Sequence, residues 1–251
     1  CDYRFTTLKF RAIKLQHSYD GHGFKNGAQF VAAYGMNDNG SIVGEAMTNT
    51  GERHATSVEV GPRYPENIYF SNHGIARRSS SLRAIANNYF MVGTAQAAIG
   101  SAAYQATAWD SQYGRHIPLR GLAGKAGVAT GIGKSYNQRL FVSGYDVWPV
   151  SQGGDGKVHA FLWSWHGPGY EGINVLGKKG QTSRGLDVND QGYVIGYFVA
   201  GGVEQAFQSG AESLEPLPDL GNFESRAIDI NNNSWPKTVG YAKNSRGVKQ
   251  P

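Results

Sequence analysis

One phrase, written five times along the 251-residue chain, limits the possible fold more than any other feature. It reads AAYGMNDNGSIVGEA (32–46), LRAIANNYFMVGTA (82–95), ATGIGKSYNQRLFVSGY (129–145), RGLDVNDQGYVIGY (184–197) and RAIDINNNSWPKTVGY (226–241). The closing glycines are Gly44, Gly93, Gly144, Gly196 and Gly240, so successive phrases lie 44 to 52 residues apart. Self-similarity at a nearly fixed period marks a repeat architecture, in which each unit buries its faces against its neighbours.

Two further phrases fall between these copies. RHATSVEV (53–60), YQATAWD (104–110), HAFLWSW (159–165) and EQAFQSG (204–210) form one set. HIPLRGLAG (116–124), INVLGKKG (173–180) and LEPLPDLGNF (214–223) form a weaker one. Each unit therefore predicts a strand, an Asn/Asp/Gly turn, a strand closing on glycine, a loop, and two more strands. Asn-Asp-Asn-Gly (37–40) and Asn-Asp-Gln-Gly (189–192) put glycine where a turn needs positive φ, with the leading Asn capping the turn. The repeated Asn37, Asn87, Asn189 and Asn231 are read as turn formers for the same reason. In HAFLWSW, alternation sends Phe161, Trp163 and Trp165 to one face and Ala160, Leu162 and Ser164 to the other. Both faces of that strand should pack against neighbouring sheets. The low charge (17 %), 35 glycines and 12 % aromatic residues agree with short strands and tight turns.

Four short strands per unit of this length predict a blade of a β-propeller. The expectation is one all-β domain spanning residues 1–251, with five blades. The chain opens with YRFTTLKFRAIKL, starting at Tyr3, and ends shortly after the fifth phrase. Residues 3–14 would then supply the strands the last unit lacks and close the ring, removing the exposed edges of an open sheet. A β-sandwich and an open solenoid are the competing layouts. Gly247-Val248-Lys249-Gln250 echoes Gly202-Val203-Glu204-Gln205, and a strand starting there would weaken the case for N-terminal closure.

The phrases His159-Ala160-Phe161-Leu162-Trp163, Asp187-Val188-Asn189 to Gly196, and Asp229-Ile230-Asn231 to Gly240 resemble the bacterial extracellular HAF repeat. The resemblance runs from about residue 28 to 244. It departs in HATSVEV, which replaces HAFLW, and in GIGKSYNQRLFVSG, which lacks the Asn-x-x-Gly turn. It implies a secreted or cell-envelope location and no established catalytic activity.

Residues repeated in every unit are scaffold, so function is sought where the repeat breaks. His54 and His159 share a repeat position with Gln105 and Gln205, which points to a hydrogen-bonding role at a strand start. DVWPVSQGGDGKVHA (146–160) and WSWHGPGYEG (163–172) are extra loops in unit three. Their Trp148, Trp165, His166 and Tyr170 are candidate ligand-binding residues, with aromatic faces suited to a sugar ring or a protein partner. Asp187 and Asp229 occupy matching first-strand positions and are the enzymatic alternative, a pair of glycosidase carboxylates. A structural subunit of a surface assembly is a third reading. The polar segment holding His17, Asp20 and His22 is read as an exposed loop, and no metal or cofactor is expected. No G-x-S-x-G elbow, H-E-x-x-H motif or phosphate-cradling loop occurs.

Cys1, the single cysteine, excludes an intramolecular disulfide and is a candidate lipid attachment site, as at the first residue of a mature lipoprotein. Contact with a membrane would then run only through that lipid. The net charge of +5 is spread along the chain, which argues against nucleic acid as a partner.

Overall fold

In a computed structural model, the chain is described over residues 30–48, 51–60, 68–75, 77–87, 90–110, 115–119, 127–134, 139–165, 171–209, 213–218 and 223–250. The five phrases become the first two strands of five antiparallel sheets. Sheet one holds β1 (Phe30–Met36), β2 (Ile42–Met47), β3 (Arg53–Val60) and β4 (Ile68–Asn72). Sheet two holds β5 (Ser80–Ile85), β6 (Phe90–Gln96), β7 (Tyr104–Asp110) and β8 (Arg115–Pro118). Sheet three holds β9 (Val128–Lys134), β10 (Leu140–Val147), β11 (Val158–Trp165) and β12 (Glu171–Leu176). Sheet four holds β13 (Ser183–Val188), β14 (Val194–Ala200), β15 (Val203–Ser209) and β16 (Leu214–Pro216). Sheet five holds β17 (Ser225–Ile230), β18 (Thr238–Lys243) and β19 (Lys249–Gln250). Within every sheet, strands pair in chain order.

Four of the five closing glycines have a steric cause. All five first strands carry a β-bulge at the same place, with Tyr34, Arg83, Thr130, Leu186 or Ile228 as the extra residue. The bulge drives a first-strand carbonyl over the second strand. A Cβ on Gly93, Gly144, Gly196 or Gly240 would lie 2.0, 2.1, 1.9 or 2.0 Å from the carbonyl oxygen of Ser81, Val128, Arg184 or Arg226. No side chain fits there.

The turn asparagines do two jobs. Asn37 Oδ1 accepts from the N–H groups of Asn39 (3.1 Å) and Ser41 (2.9 Å), and Asn189 Oδ1 accepts from Gln191 (3.1 Å) and Tyr193 (3.0 Å). Their amide nitrogens reach across to the next sheet, donating to the carbonyls of Ala86 and Asn231. Asn87 differs from the expected register. Its Oδ1 accepts from Asp38 N–H, as Asn232 does from Asp190 N–H, so it sits one residue past the turn-capping position, which Ala86 holds. In unit three Gly133 takes the capping position, because a Cβ there would lie 2.3 Å from Asn189 O.

Three of the four joints between successive sheets share one contact; between sheets two and three Gly127 lies against Ala106 N instead. The Ser that opens a phrase accepts a hydrogen bond from a third-strand alanine of the preceding sheet: Ala55 to Ser80, Ala160 to Ser183 and Ala206 to Ser225, at 2.9–3.0 Å. The Arg that follows stacks its guanidinium on the Tyr after the preceding closing glycine, Arg184 on Tyr145 (4.6 Å) and Arg226 on Tyr197 (4.4 Å). Apolar side chains fill the space between. On β11, Phe161 and Trp163 pack against Val92, Ala106 and Ala108 of sheet two. Ala160 and Leu162 pack against Val194, Phe198 and Phe207 of sheet four. The alternation read from HAFLWSW is what the two faces show.

Sheet five corrects one expectation. Its third strand begins in its own unit, because β19 pairs Lys249 and Gln250 with Lys243 and Ala242. The same register joins Gln205 to Phe198 in sheet four. The fifth unit therefore does not rely on the N-terminal residues for the start of that strand, and residues 3–14 lie outside the described residues.

Candidate functional site

Trp148 and Trp165, two of the four residues expected to form one binding surface, lie apart. Trp148 follows Val147, which pairs with Val158 at one end of the β10–β11 ladder, while Trp165 pairs with Leu140 at the other end. Seven strand steps of about 3.3 Å separate those ends, roughly 23 Å. His166, Tyr170 and Cys1 lie outside the described residues, as do His17, Asp20 and His22. Trp165 is half-buried and packs at 6.3 Å from Phe90 in the joint between sheets two and three.

Trp148 is the base of the unit-three insertion. It stands edge-on to the buried His159 at 5.3 Å, and the Lys179 ammonium lies 5.6 Å over its ring. Asp155 ties the loop down, accepting from Lys157 N–H (2.9 Å), Gly180 N–H (2.5 Å) and His159 Nε2 (3.0 Å). Burial pushes the Asp155 carboxyl upward, yet these hydrogen bonds and the nearby imidazole outweigh it and hold the group at about 2. The insertion is a braced hairpin, and its Trp and His serve as its internal packing.

Asp187 and Asp229 do meet. Asp187 lies in the gap left by Gly131, where any Cβ would be 2.6 Å from its Oδ1, and its Oδ2 accepts from Ile230 N–H at 3.1 Å. Burial pushes its carboxyl up to about 7; the N–H groups of Val188 and Ile230 pull the other way, and the hydrogen-bonded Asp229 carboxyl adds to the rise. The matching positions in the other sheets are Gly35, Ala84 and Gly131. Glycosidase carboxyls flank a sugar bond at roughly 5–9.5 Å. Asp187 instead spends one carboxyl oxygen on the Ile230 N–H across the joint between sheets four and five.

An open cleft of about 440 Å³ lies at the turn end of sheets three and four. Arg139, Phe141, Asn174, Gln191, Tyr193 and Ser234 are among its walls. The two joints flanking sheet three differ in their aromatic residues. Between sheets two and three, Trp165 covers Phe90, which pairs with Asp110. Phe141 is the equivalent of Phe90, because it pairs with Ser164, the residue matching Asp110. Counting from Phe207 as from Phe161, unit four carries Ser209 and Ala211 where unit three carries Trp163 and Trp165. Phe141 is itself buried, at 7 % exposure, with its ring against Gly192.

The fifth turn overhangs this space. Asn231 N–H bonds to Lys237 O, where Asn189 N–H bonds to Tyr193 O, so the fifth turn is two residues longer. The extension carries Trp235, which is 88 % exposed. Its neighbour Ser234 lines the cleft, and its other neighbour Pro236 lines a second opening of about 390 Å³ beside β18. An indole exposed on a turn, next to amides, hydroxyls and a guanidinium, is suited to stack on a ring while polar groups fix its orientation.

Sequence reasoning missed Arg139, Gln191, Tyr193 and Trp235. The available signals were NNNSWPK, the one phrase copy with a Trp in its turn, and the absent aromatic after Phe207. No family model matches the chain, and no curated protein matches it either.

Proposed function

We propose that the protein is a non-catalytic, glycan-binding module of the bacterial cell envelope or exterior, with its ligand in the cleft beside Trp235. The observation that carries this reading is the exposed indole of Trp235 on a turn that departs from the repeat, between Ser234 and Pro236, each of which lines an opening. The scaffold on either side is rigid, and the departures from it gather at one place. A glycan array followed by titration calorimetry tests it. Wild-type protein binds at least one glycan, and Trp235→Ala weakens binding at least ten-fold with an unchanged melting temperature, since the side chain buries little. Equal binding by the variant, or an array blank for the wild type, overturns the reading, and capture of a protein through the same cleft replaces it.

The same proposal covers the arrangement of the sheets. The five sheets are blades of a five-bladed propeller, a reading supported by the Ser–Ala bond recurring at three of the four joints and by the HAF-like phrases. Residues 3–14 complete the fifth blade next to β19 and close it against the first. Transport to the envelope follows from the HAF resemblance, with a lipid on Cys1 as the anchor. Mass spectrometry of the N-terminal peptide from the native host shows acyl chains on Cys1 if the anchor is right and an unmodified residue if it is wrong.

A further inference from the structure

In sheets one to four, the third-strand residue opposite the closing glycine is buried. Gly44 faces Thr56, Gly93 faces Thr107, Gly144 faces Phe161 and Gly196 faces Phe207. Phe161 lies against Ala106, Ala108 and Leu119 of the sheet before it. In sheet five no described strand supplies that residue, because β19 reaches only as far as Gln250, opposite Ala242 and two places short of Gly240. The opening of about 390 Å³ occupies that place. Gly240 forms one wall, and Ala206, Gln208 and Leu217 on the other match Ala106, Ala108 and Leu119 in register. On the side of β18 away from β17, Thr238 to Tyr241 pair with no described strand, and Val239 is 61 % exposed. An unpaired edge beside an apolar gap is fitted to take up an extended strand.

Resting on the reading above in which residues 3–14 complete the fifth unit, we propose that this opening is a socket for the chain's own residues 6–8, with Thr6 opposite Gly240. RFTTLKF (4–10) reads against HATSVEV (54–60) residue for residue, with Thr6 at the position of Thr56, Leu8 at Val58 and Phe10 at Val60. Ile13-Lys14-Leu15 then reads against Ile117-Pro118-Leu119, the end of the fourth strand of sheet two and the leucine after it. From Leu15, 15 residue steps lead to Phe30 at the start of β1. Only 7 to 9 steps join Leu119, Leu176 and Leu217 to the next first strand, so the connection is long enough. The N-terminal segment then covers the Pro236 side of Trp235, and the glycan is left the cleft on the Ser234 side.

The test uses the full chain carrying Cys1→Ser, with Thr7→Cys and Val239→Cys added. The bond from Asn244 N–H to Val248 O, just past β18, sets the alternation along the strand. It places Val239 among the closely spaced pairs that lack backbone hydrogen bonds, a separation a disulfide spans. Under mild oxidation both thiols are lost and the mass stays that of one chain. Thr6→Cys with Val239→Cys stays reduced, because Thr6 faces the other side of the sheet. A disulfide-linked dimer would assign the strand to a second copy, and two free thiols or equal oxidation of both pairs would put residues 6–8 elsewhere. Each of these outcomes overturns the proposal. Deleting residues 2–14 tests the broader reading separately. A lowered melting temperature without the Thr7–Val239 link leaves closure by the N-terminal residues standing and this register wrong. An unchanged melting temperature with no link fails both.

Discussion

Gly196 shows how a single position is dictated by its neighbour. Its missing side chain makes room for the Arg184 carbonyl that the bulge at Leu186 displaces. Gly196→Ala should cost more than about 2 kcal/mol in chemical denaturation, because a backbone carbonyl cannot move aside cheaply. Gly172→Ala, whose nearest neighbour would be at 3.7 Å, should stay within about 0.5 kcal/mol. Equal losses would contradict the steric account. The five glycines were visible in the sequence, but the reason for them was not, since the bulge is set by pairing between strands. Asp187 makes a second prediction. Its folded carboxyl titrates near 7, against an ordinary 3.8, so the folded state holds the proton more tightly than the unfolded state. Its contribution is fully present below about pH 4 and is lost as pH rises through 7. Asp187→Asn keeps the neutral form at every pH and should therefore raise the melting temperature at pH 8 while leaving it nearly unchanged at pH 4. An identical pH slope for wild type and variant would remove the protonated Asp187.

Among the elements, β11 was the most legible, because period-two alternation over HAFLWSW is a strong local signal and both faces are buried. Pairing and turn chemistry likewise carried the strand order within each unit. The site was less legible. Trp148 and Trp165 are close in sequence only through a hairpin, and strand length sets them at opposite ends of the ladder. The insertion holding Trp148 looked like a binding loop because it does not repeat. Asp155 instead fastens it to Gly180 and Lys157. Asp155→Asn should speed amide exchange at Gly180 and Lys157 by about ten-fold, equivalent to ~1.4 kcal/mol, since a carboxylate accepts more strongly than an amide. For wild type, the carboxylate's contribution is present above the ordinary carboxyl range and is lost as pH falls through about 2. Unchanged exchange in the variant would mean that the hairpin is held by Trp148 alone.

For the whole molecule, the joints between sheets recur with variation: Ser onto the third-strand alanine at three of four, Arg onto the Tyr after the closing glycine at the last two, and apolar side chains between. The strand count predicts ring closure by residues 3–14, and β19 adds that the third strand of the fifth unit starts within that unit. With closure by residues 3–14, deleting residues 2–14 lowers the melting temperature by several degrees, and an open array of sheets is left unaffected. Function is legible at this scale as a departure from the rule. The phrase that builds the fifth unit also carries the exposed Trp235, between Ser234 on one opening and Pro236 on another. The chain has five tryptophans, Trp109, Trp148, Trp163, Trp165 and Trp235, each with one indole N–H signal in a heteronuclear NMR spectrum. During titration with a glycan that binds, the Trp235 signal should move and the Trp148 signal stay in place. Movement of Trp148 with Trp235 unchanged would put the ligand on the insertion and contradict the account.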